Sequence, residues 1–179
     1  MSTVTTQKAV IFLLQQKYAI MNLIKLPQGE TMPYSTRLAT SVHILLAIYH
    51  FENKEKVTSN FLANSIQTNP VIVRNLLGKL QKAELVKVEA GVGGAHLTKT
   101  PQEITFWDIF QAVEDKNKPI FKANDDTNPN CPVGRVVNSV LQPRINKIQE
   151  EFQLSLKATT LASLITDMDD KISKNEQKA

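Results

Sequence analysis

The chain has 179 residues, of which 42% are apolar and 21% are charged. This is enough apolar material for the core of one domain, or of one small domain with an appendage, and it excludes a wholly disordered chain. The single cysteine excludes an intrachain disulfide and a cysteine-rich zinc or iron–sulfur site within one chain. It favours a reducing, cytoplasmic location.

The net charge of +4 is concentrated in the middle of the chain, where residues 32–100 carry eight Lys or Arg against four Glu. A polyanion is therefore expected to bind this middle part. The apolar tract over residues 9–26 is interrupted by Gln, Asn and Lys, and no cleavage site follows it. Neither a membrane span nor a signal peptide is predicted.

Residues 1–33 differ in pattern from the rest and end in a breaker cluster, Gln28-Gly29-Glu30-Thr31-Met32-Pro33. We interpret them as an N-terminal extension that reflects the choice of start site or of the cloned segment. The alternative is an extra helix over residues 6–26 that packs on a partner, because its apolar side chains are costly to leave in water.

Three helices are predicted between residue 35 and about residue 83. The first runs to Phe51, the second is capped by Thr58, and the third begins at Pro70. Their inward faces are predicted to consist of Leu38, Val42, Leu45, Leu46 and Tyr49, then Phe61, Leu62 and Ile66, then Val73, Leu76, Leu77 and Leu80.

The second and third of these helices have the spacing of a helix-turn-helix. This arrangement leaves the outer face of the third helix to Val71, Arg74, Asn75, Lys79 and Lys82. An ordinary helical hairpin with a solvated face is the alternative.

Residues 85–89 and 95–98 alternate apolar and polar side chains as strands do, and the Gly-rich segment 91–94 turns the chain between them. Three helices followed by such a hairpin describe a winged helix-turn-helix. Glycines in the wing allow the backbone to approach a phosphate closely. A plain hairpin packed on the helices fits the same pattern.

The remaining part is also predicted to be helical. Thr105 and Asp108 form a capping box, and the helix that follows turns Trp107, Ile109, Phe110 and Val113 inward. After a polar loop over residues 116–130, Cys131 and Pro132 open a long helix with the apolar positions Val133, Val136, Val137, Val140, Leu141, Ile145, Ile148 and Phe152.

Pro143 is expected to bend or briefly break this long helix. Thr159 or Thr160 is predicted to cap a last short helix, and residues 169–179 are expected to form a frayed tail. A long apolar stripe outside the compact head needs a partner surface, and a second copy of the chain is the simplest partner that could cover it. Two copies would place two reading heads on one face of DNA, about one helical turn apart.

Taken in order, the motifs from Tyr34 to about Met168 resemble the Rrf-two (Rrf2) family of bacterial transcription regulators, relatives of IscR, NsrR and CymR. The resemblance rests on Tyr34-Ser35-Thr36-Arg37-Leu38-Ala39, Thr68-Asn69-Pro70-Val71-x-Val73-Arg74, Leu76-Leu77-x-x-Leu80, Gly91-x-Gly93-Gly94-Ala95, Ile104-Thr105-x-x-Asp108-Ile109 and Asn130-Cys131-Pro132-Val133-Gly134. The whole set is specific, whereas no single piece would be.

The resemblance implies a homodimeric winged-helix repressor or activator that exchanges its long helix across the dimer. It places Thr68, Asn69, Val71 and Arg74 in the major groove. Asn75, on the same face of the helix, is added as a further candidate. Arg74 is the best candidate for a base or phosphate contact, because its guanidinium can bridge guanine bidentately.

The resemblance also places Gly93, Gly94 and His96 on a wing that reaches the minor groove. Some relatives carry an arginine just before the wing glycines, where this chain has Ala90, so a minor-groove contact must use His96 or the backbone. The candidate phosphate contacts at helix starts are Ser35, Arg37 and Ser59. Each of them could equally be an ordinary cap or surface residue.

No iron–sulfur cluster is expected, because the cluster-binding branch of the family carries three cysteines and this chain has only Cys131. Cys131 stands at a helix start, where the dipole favours a thiolate, and it is the candidate redox sensor. The alternative is a small half-buried residue beside a proline, and Asp125 and Asp126 would oppose thiolate formation. Because His43 and His50 have no acidic or Cys companion at metal spacing, no metal site is predicted.

The sequence thus predicts a mainly α-helical protein with a small β-hairpin wing. The winged helix-turn-helix domain covers residues 34–100, a connecting helix and sensor loop cover residues 101–132, and a dimerisation helix with a terminal helix covers residues 133–168. The predicted function is a cytoplasmic, homodimeric regulator, a repressor, that binds a palindromic operator in double-stranded DNA and responds to redox or to a small-molecule or protein effector.

Two alternatives remain open at this point. One is a winged-helix module that has lost specific DNA binding and acts through protein contacts. The other is an enzyme with Cys131 as nucleophile, although no base or other catalytic constellation is evident.

Overall fold

The structure, a computed structural model of the chain, describes residues 35–89, 94–114 and 120–177. The sequence divides into residues 1–33 and 34–179, and every described residue belongs to the second unit. The predictions for the N-terminal extension, for Ala90 and for Gly93 lie outside the described residues.

Three helices form the head of the molecule: α1 (Ser35–Phe51), α2 (Ser59–Ile66) and α3 (Pro70–Lys82). The Thr58 hydroxyl accepts a hydrogen bond from the backbone N–H of Phe61 at 3.1 Å and so begins α2. The Asn69 side chain accepts one from the backbone N–H of Val71 at 2.8 Å, and Pro70 occupies the first helical position of α3. The three predicted helices and the Thr58 cap are confirmed.

A two-stranded antiparallel hairpin follows α3. Strand β1 (Val86–Val88) pairs with β2 (Ala95–Leu97), and Lys87 lies opposite His96. Both strands are shorter than predicted. The hairpin packs on the α1–α2 connection, where the backbone N–H of Ala95 donates to the carbonyl of Val57 at 3.0 Å. The predicted mainly helical fold with a small hairpin is confirmed.

Helix α4 (Phe106–Val113) begins with the predicted capping box. The backbone N–H of Asp108 donates to the Thr105 hydroxyl at 3.2 Å, and the backbone N–H of Thr105 donates to the Asp108 carboxylate at 2.9 Å. Trp107 stacks on Phe110, with 5.6 Å between ring centroids.

Helix α5 (Pro132–Ala158) is a continuous helix of 27 residues that contains Pro143. Of the two predicted effects of Pro143, the break is wrong, and the bend stays a prediction. A single proline removes one N–H from the hydrogen-bond ladder, and the helical turns on both sides keep the segment in one piece.

Helix α6 (Leu161–Glu176) begins at the Thr160 cap, as predicted, but it is 16 residues long. The predictions of a short helix and of a frayed tail from residue 169 are therefore wrong. The stripe of Leu161 and Ile165 continues through Met168 and Ile172, which line a groove against α1 and so extend the helix by packing.

The core lies between α1, α2, α3, α4, the hairpin and the start of α6. Its fully buried side chains include Ile44, Leu45, Ile48, Leu62, Val73, Leu80, Ile104, Ile109 and Leu161. Helix α5 contributes no buried residue to this core. Among the described residues, no helix has the length and apolarity that a membrane crossing requires.

Candidate nucleic-acid interface

The outer face of α3 is exposed and carries both apolar and polar side chains. Val71 is 51% exposed and Ile72 49% exposed, and Arg74 and Asn75 are exposed on the next turn. The opposite face is held in the core by Val73, Leu76, Leu77 and Leu80. The buried stripe therefore fixes which side chains α3 presents to a partner.

A polar cleft of about 460 Å³ lies at the turn between α2 and α3. We call it the turn cleft, and its polar side chains are Asn60, Asn64, Gln67, Thr68 and Asn69. The oxygen of the Asn69 amide is engaged in capping α3, which leaves its NH₂ group as a donor. The sequence neighbours Thr68 and Asn69 both line this cleft, and their contact with DNA stays a prediction.

A second cleft, of about 380 Å³, lies between α3 and the hairpin. We call it the wing cleft, and its lining includes Lys56, Ser59, Arg74, Gln81 and Gly94. In the described part of the chain, the exposed Arg74 has neither an ion pair nor a hydrogen-bond partner, so its N–H donors are available to a ligand. Three of the predicted site residues, Ser59, Arg74 and Gly94, meet at this cleft.

The hairpin residues are held by the protein itself. A Cβ on the buried Gly94 would lie 3.1 Å from the backbone nitrogen of Val57, so packing already disfavours a larger residue there. The His96 imidazole lies 3.6 Å from the Glu52 carboxylate and its side chain is 43% exposed. The same Glu52 oxygen accepts a hydrogen bond from the Leu97 backbone at 3.2 Å. The nearby Glu52 carboxylate makes His96 a weaker minor-groove candidate than its position on the wing suggested.

The residues at the start of α1 lie apart from both clefts. Ser35 is the first residue of α1, and its side chain lies outside the description. Arg37 forms an ion pair with Glu114 at 3.4 Å, and its side chain is 54% exposed, whereas that of Glu114 is 4% exposed. The remaining donors of Arg37 stay available at the surface.

Ile72 is a surface residue of α3 that the sequence analysis missed. Apolar side chains in the first turn of a recognition helix can contact the methyl group of thymine. The available signal was an apolar side chain outside the buried stripe Val73, Leu76, Leu77 and Leu80.

Cys131 is half-buried, forms no disulfide and precedes α5 as its N-cap residue. The pKa of its thiol is lowered mainly by the backbone N–H of Gly134 and, to a smaller extent, by that of Val133. The geometry does not meet the criteria of a side-chain capping hydrogen bond. A Cβ on Gly134 would collide with the Asn128 carbonyl, so glycine lets residues 128–131 approach α5 closely.

The histidines of α1 have ordinary polar partners. His43 lies 3.2 Å from the Ser65 hydroxyl, and the Lys54 ammonium lies 3.3 Å from His50. Within the described ranges, His, Cys, Asp and Glu side chains form no group of three that could hold a metal ion.

Three helices with an exposed third helix, followed by a hairpin that forms a cleft with it, define the class of winged helix-turn-helix proteins. The comparisons with known proteins agree. Residues 34–167 match the family model Rrf2, described as iron-dependent transcriptional regulator, and the chain therefore belongs to the Rrf2 family.

Named relatives support this assignment. The chain is 33% identical over 134 residues to YwnA of Bacillus subtilis, which is named as an HTH-type transcriptional regulator, covering 75% of this chain and 98% of YwnA. Two solved structures share the fold. IscR of T. potens matches at 23% identity and a TM-score of 0.56, covering 80% of this chain and 91% of IscR. CymR of B. subtilis matches at 20% identity and a TM-score of 0.56, covering 76% of this chain and 98% of CymR.

The members of this family are transcriptional regulators and not enzymes, which removes the alternative of a Cys131 nucleophile. That the protein holds no iron–sulfur cluster stays a prediction, which rests on the one cysteine of the sequence against the several thiolates that usually hold such a cluster.

Proposed function

We propose that the protein is a homodimeric repressor that binds a palindromic operator in double-stranded DNA through α3, in the cytoplasm. The observation that carries this proposal is Arg74 on the exposed face of α3, where the helix borders the wing cleft and where, among the described residues, the guanidinium has no partner. Val71, Ile72 and Asn75 lie on the exposed surface of the same helix. Guanidinium and amide groups read base edges, and apolar groups contact thymine.

The phosphate contacts belong to the same proposal. Ser59, at the start of α2, and Lys56 line the wing cleft, and Thr68 lies at the turn cleft. Hydroxyl groups and cations at helix starts are common partners of DNA phosphates. Arg37 can contribute through the donors that Glu114 leaves free.

A second copy of the chain is the proposed partner of α5. This helix is about 40 Å long at 1.5 Å per residue. It touches the head through Phe152 against Phe110, 6.0 Å between ring centroids, and through Lys157 above Trp107 at 5.9 Å. Its exposed apolar side chains are Val133, Val136, Val140, Leu141, Ile148 and Leu154. A stripe of this size on one surface is typical of an interface.

The dimer is tested by sedimentation equilibrium on the full chain. We expect a mass of twice 20.0 kDa for the wild type and a shift toward the monomer for Val140→Asp. Gln142→Asp, which places the same carboxylate on the opposite side of the helix, serves as the control. A monomeric wild type at micromolar concentration would contradict the dimer.

The DNA-binding proposal is tested by fluorescence anisotropy on the DNA upstream of the protein's own gene. We expect affinity well above that for scrambled duplex and a steep fall as salt rises, because phosphate contacts release counterions. Binding that ignores both sequence and salt would favour the winged-helix module that acts through protein contacts. A reporter gene then tests repression, since loss of the regulator should raise transcription.

The proposal retains Cys131 as the candidate redox-responsive residue. Its lowered thiol pKa and its position between residues 120–130 and α5 support this role. Mild oxidation should then change DNA affinity in the wild type and leave Cys131→Ser unchanged. An identical response in the two proteins would remove Cys131 as the sensor.

A further inference from the structure

Lys79 lies on the solvent side of α3 in the sequence pattern, together with Arg74 and Lys82, yet its ammonium group points back to the protein. It donates a hydrogen bond of 2.7 Å to the backbone carbonyl of Val113. Val113 is the last residue of α4, 34 positions further along the chain.

The chemistry of a helix end explains this contact. The last four carbonyl groups of a helix lack partners within the helix, and they carry the negative end of its dipole. A lysine ammonium is a favourable partner for such a carbonyl. Lys79 of α3 therefore caps the end of α4.

Helix α1 also contacts the end of α4. Glu114, the residue after Val113, pairs through its buried carboxylate with Arg37. The backbone N–H of Glu114 also donates to the carbonyl of Phe110 at 3.0 Å. Residues 113 and 114 thus join α3 to α1 at the point where α4 ends.

We infer that Lys79 is a positioning residue: it fixes the orientation of α3 through the Val113 carbonyl and does not contact DNA. The inference rests on the proposed function. The apolar side chains under α3 attract without a preferred direction, whereas a hydrogen bond sets a direction. Loss of the Lys79 bond therefore loosens the angle at which α3 presents Arg74.

The test compares Lys79→Met with Lys82→Met in the full-length protein. Both variants remove one ammonium from the last turn of α3 and keep an unbranched side chain. Affinity for the upstream DNA is measured across a salt series, and Lys79→Arg tests rescue by a conservative donor.

We expect Lys79→Met to lose about three- to tenfold in affinity, because one charge-assisted hydrogen bond within the protein is lost. Its salt slope should equal that of the wild type, because no phosphate contact is lost. Lys79→Arg should recover most of the loss. A salt slope reduced by about 1.8, for one phosphate contact in each of two heads, would show that Lys79 contacts DNA and would overturn the inference. Unchanged affinity would overturn it as well.

Amide hydrogen exchange separates this inference from the proposed function, because it requires no DNA. Exchange in the last turn of α3 should be faster in Lys79→Met than in Lys82→Met. Equal exchange in the two variants would overturn the positioning role. A wild type that binds no DNA would overturn the proposed function alone.

Discussion

The guanidinium of Arg37 lies 3.4 Å from the carboxylate of Glu114, and the two side chains differ sharply in exposure, at 54% and 4%. Within the described ranges, the Oε1 atom of Glu114 is buried and has no hydrogen-bond partner. Arg37 is therefore the main compensation for a carboxylate in the protein interior, and its loss leaves that charge without a partner.

We predict that Arg37→Ala lowers the free energy of unfolding by about 1–2 kcal/mol, since a buried charged group loses its partner. In the background of Glu114→Gln, where no carboxylate needs a partner, the same change should cost much less. Urea denaturation of the wild type, the two single variants and the double variant gives this double-mutant cycle. Equal losses in the two backgrounds would show that the pair is not coupled.

Gln67 ends α2 in the left-handed region, with φ 57° and ψ 50°. A residue with a Cβ is strained there, whereas glycine is not. Glycine relieves about 1–2 kcal/mol of strain and loses the exposed hydrogen bond that the Gln67 side chain donates to the Asn64 carbonyl, so Gln67→Gly should raise the free energy of unfolding by about 0.5–1 kcal/mol. Asn64→Gly, inside the same helix, should lower it by about 0.3 kcal/mol. Thermal denaturation checks both, and a loss of stability in Gln67→Gly would contradict the strain.

Gly94 and Gly78 form a matched pair for alanine substitution. A Cβ at Gly94 would meet the nitrogen and oxygen of Val57 at 3.1 and 3.3 Å, whereas a Cβ at Gly78 meets nothing within 4 Å. We predict a loss of about 1–3 kcal/mol for Gly94→Ala, because β2 must shift. Gly78→Ala, within α3, should gain about 0.5–1 kcal/mol. Denaturant titration would contradict this account if the two variants changed in the same direction.

The lowered pKa of Cys131 predicts an alkylation rate that rises at a pH below the ordinary thiol range. The thiolate is the reactive form, and the N–H groups of Gly134 and Val133 favour it only in the folded protein. The midpoint of the iodoacetamide rate against pH should therefore be lower for the native protein than for the protein in urea. Identical midpoints would contradict a helix-start effect.

The local part of the fold was predictable from the sequence. Thr58, Pro70 and the Thr105–Asp108 box start helices through contacts within a few residues, and the buried stripe of α3 follows its period. For this reason the starts of α2, α3 and α4 and the buried face of α3 could be predicted without the structure.

The parts that could not be predicted depend on residues far apart in sequence. The pairs Arg37–Glu114 and Lys79–Val113 join positions 77 and 34 residues apart, and no periodicity reports them. The length of α6 depends on Met168 and Ile172 lying against α1. The burial of Gly94 depends on the approach of β2 to Val57, where the sequence indicated only a wing glycine.

The central claim is that Arg74 on α3 contacts operator DNA, and the salt dependence of Arg74→Ala tests it most directly. The control is Lys174→Ala, which removes a positive charge from the far end of α6. For a dimer with two heads, we predict that Arg74→Ala weakens binding at every salt concentration and reduces the slope of log K against log salt by about 1.8 if the contact is to phosphate. If it is to a base, the loss should be confined to the specific sequence, with affinity for scrambled duplex retained. An Arg74→Ala protein that binds both duplexes as the wild type and Lys174→Ala do would contradict the account.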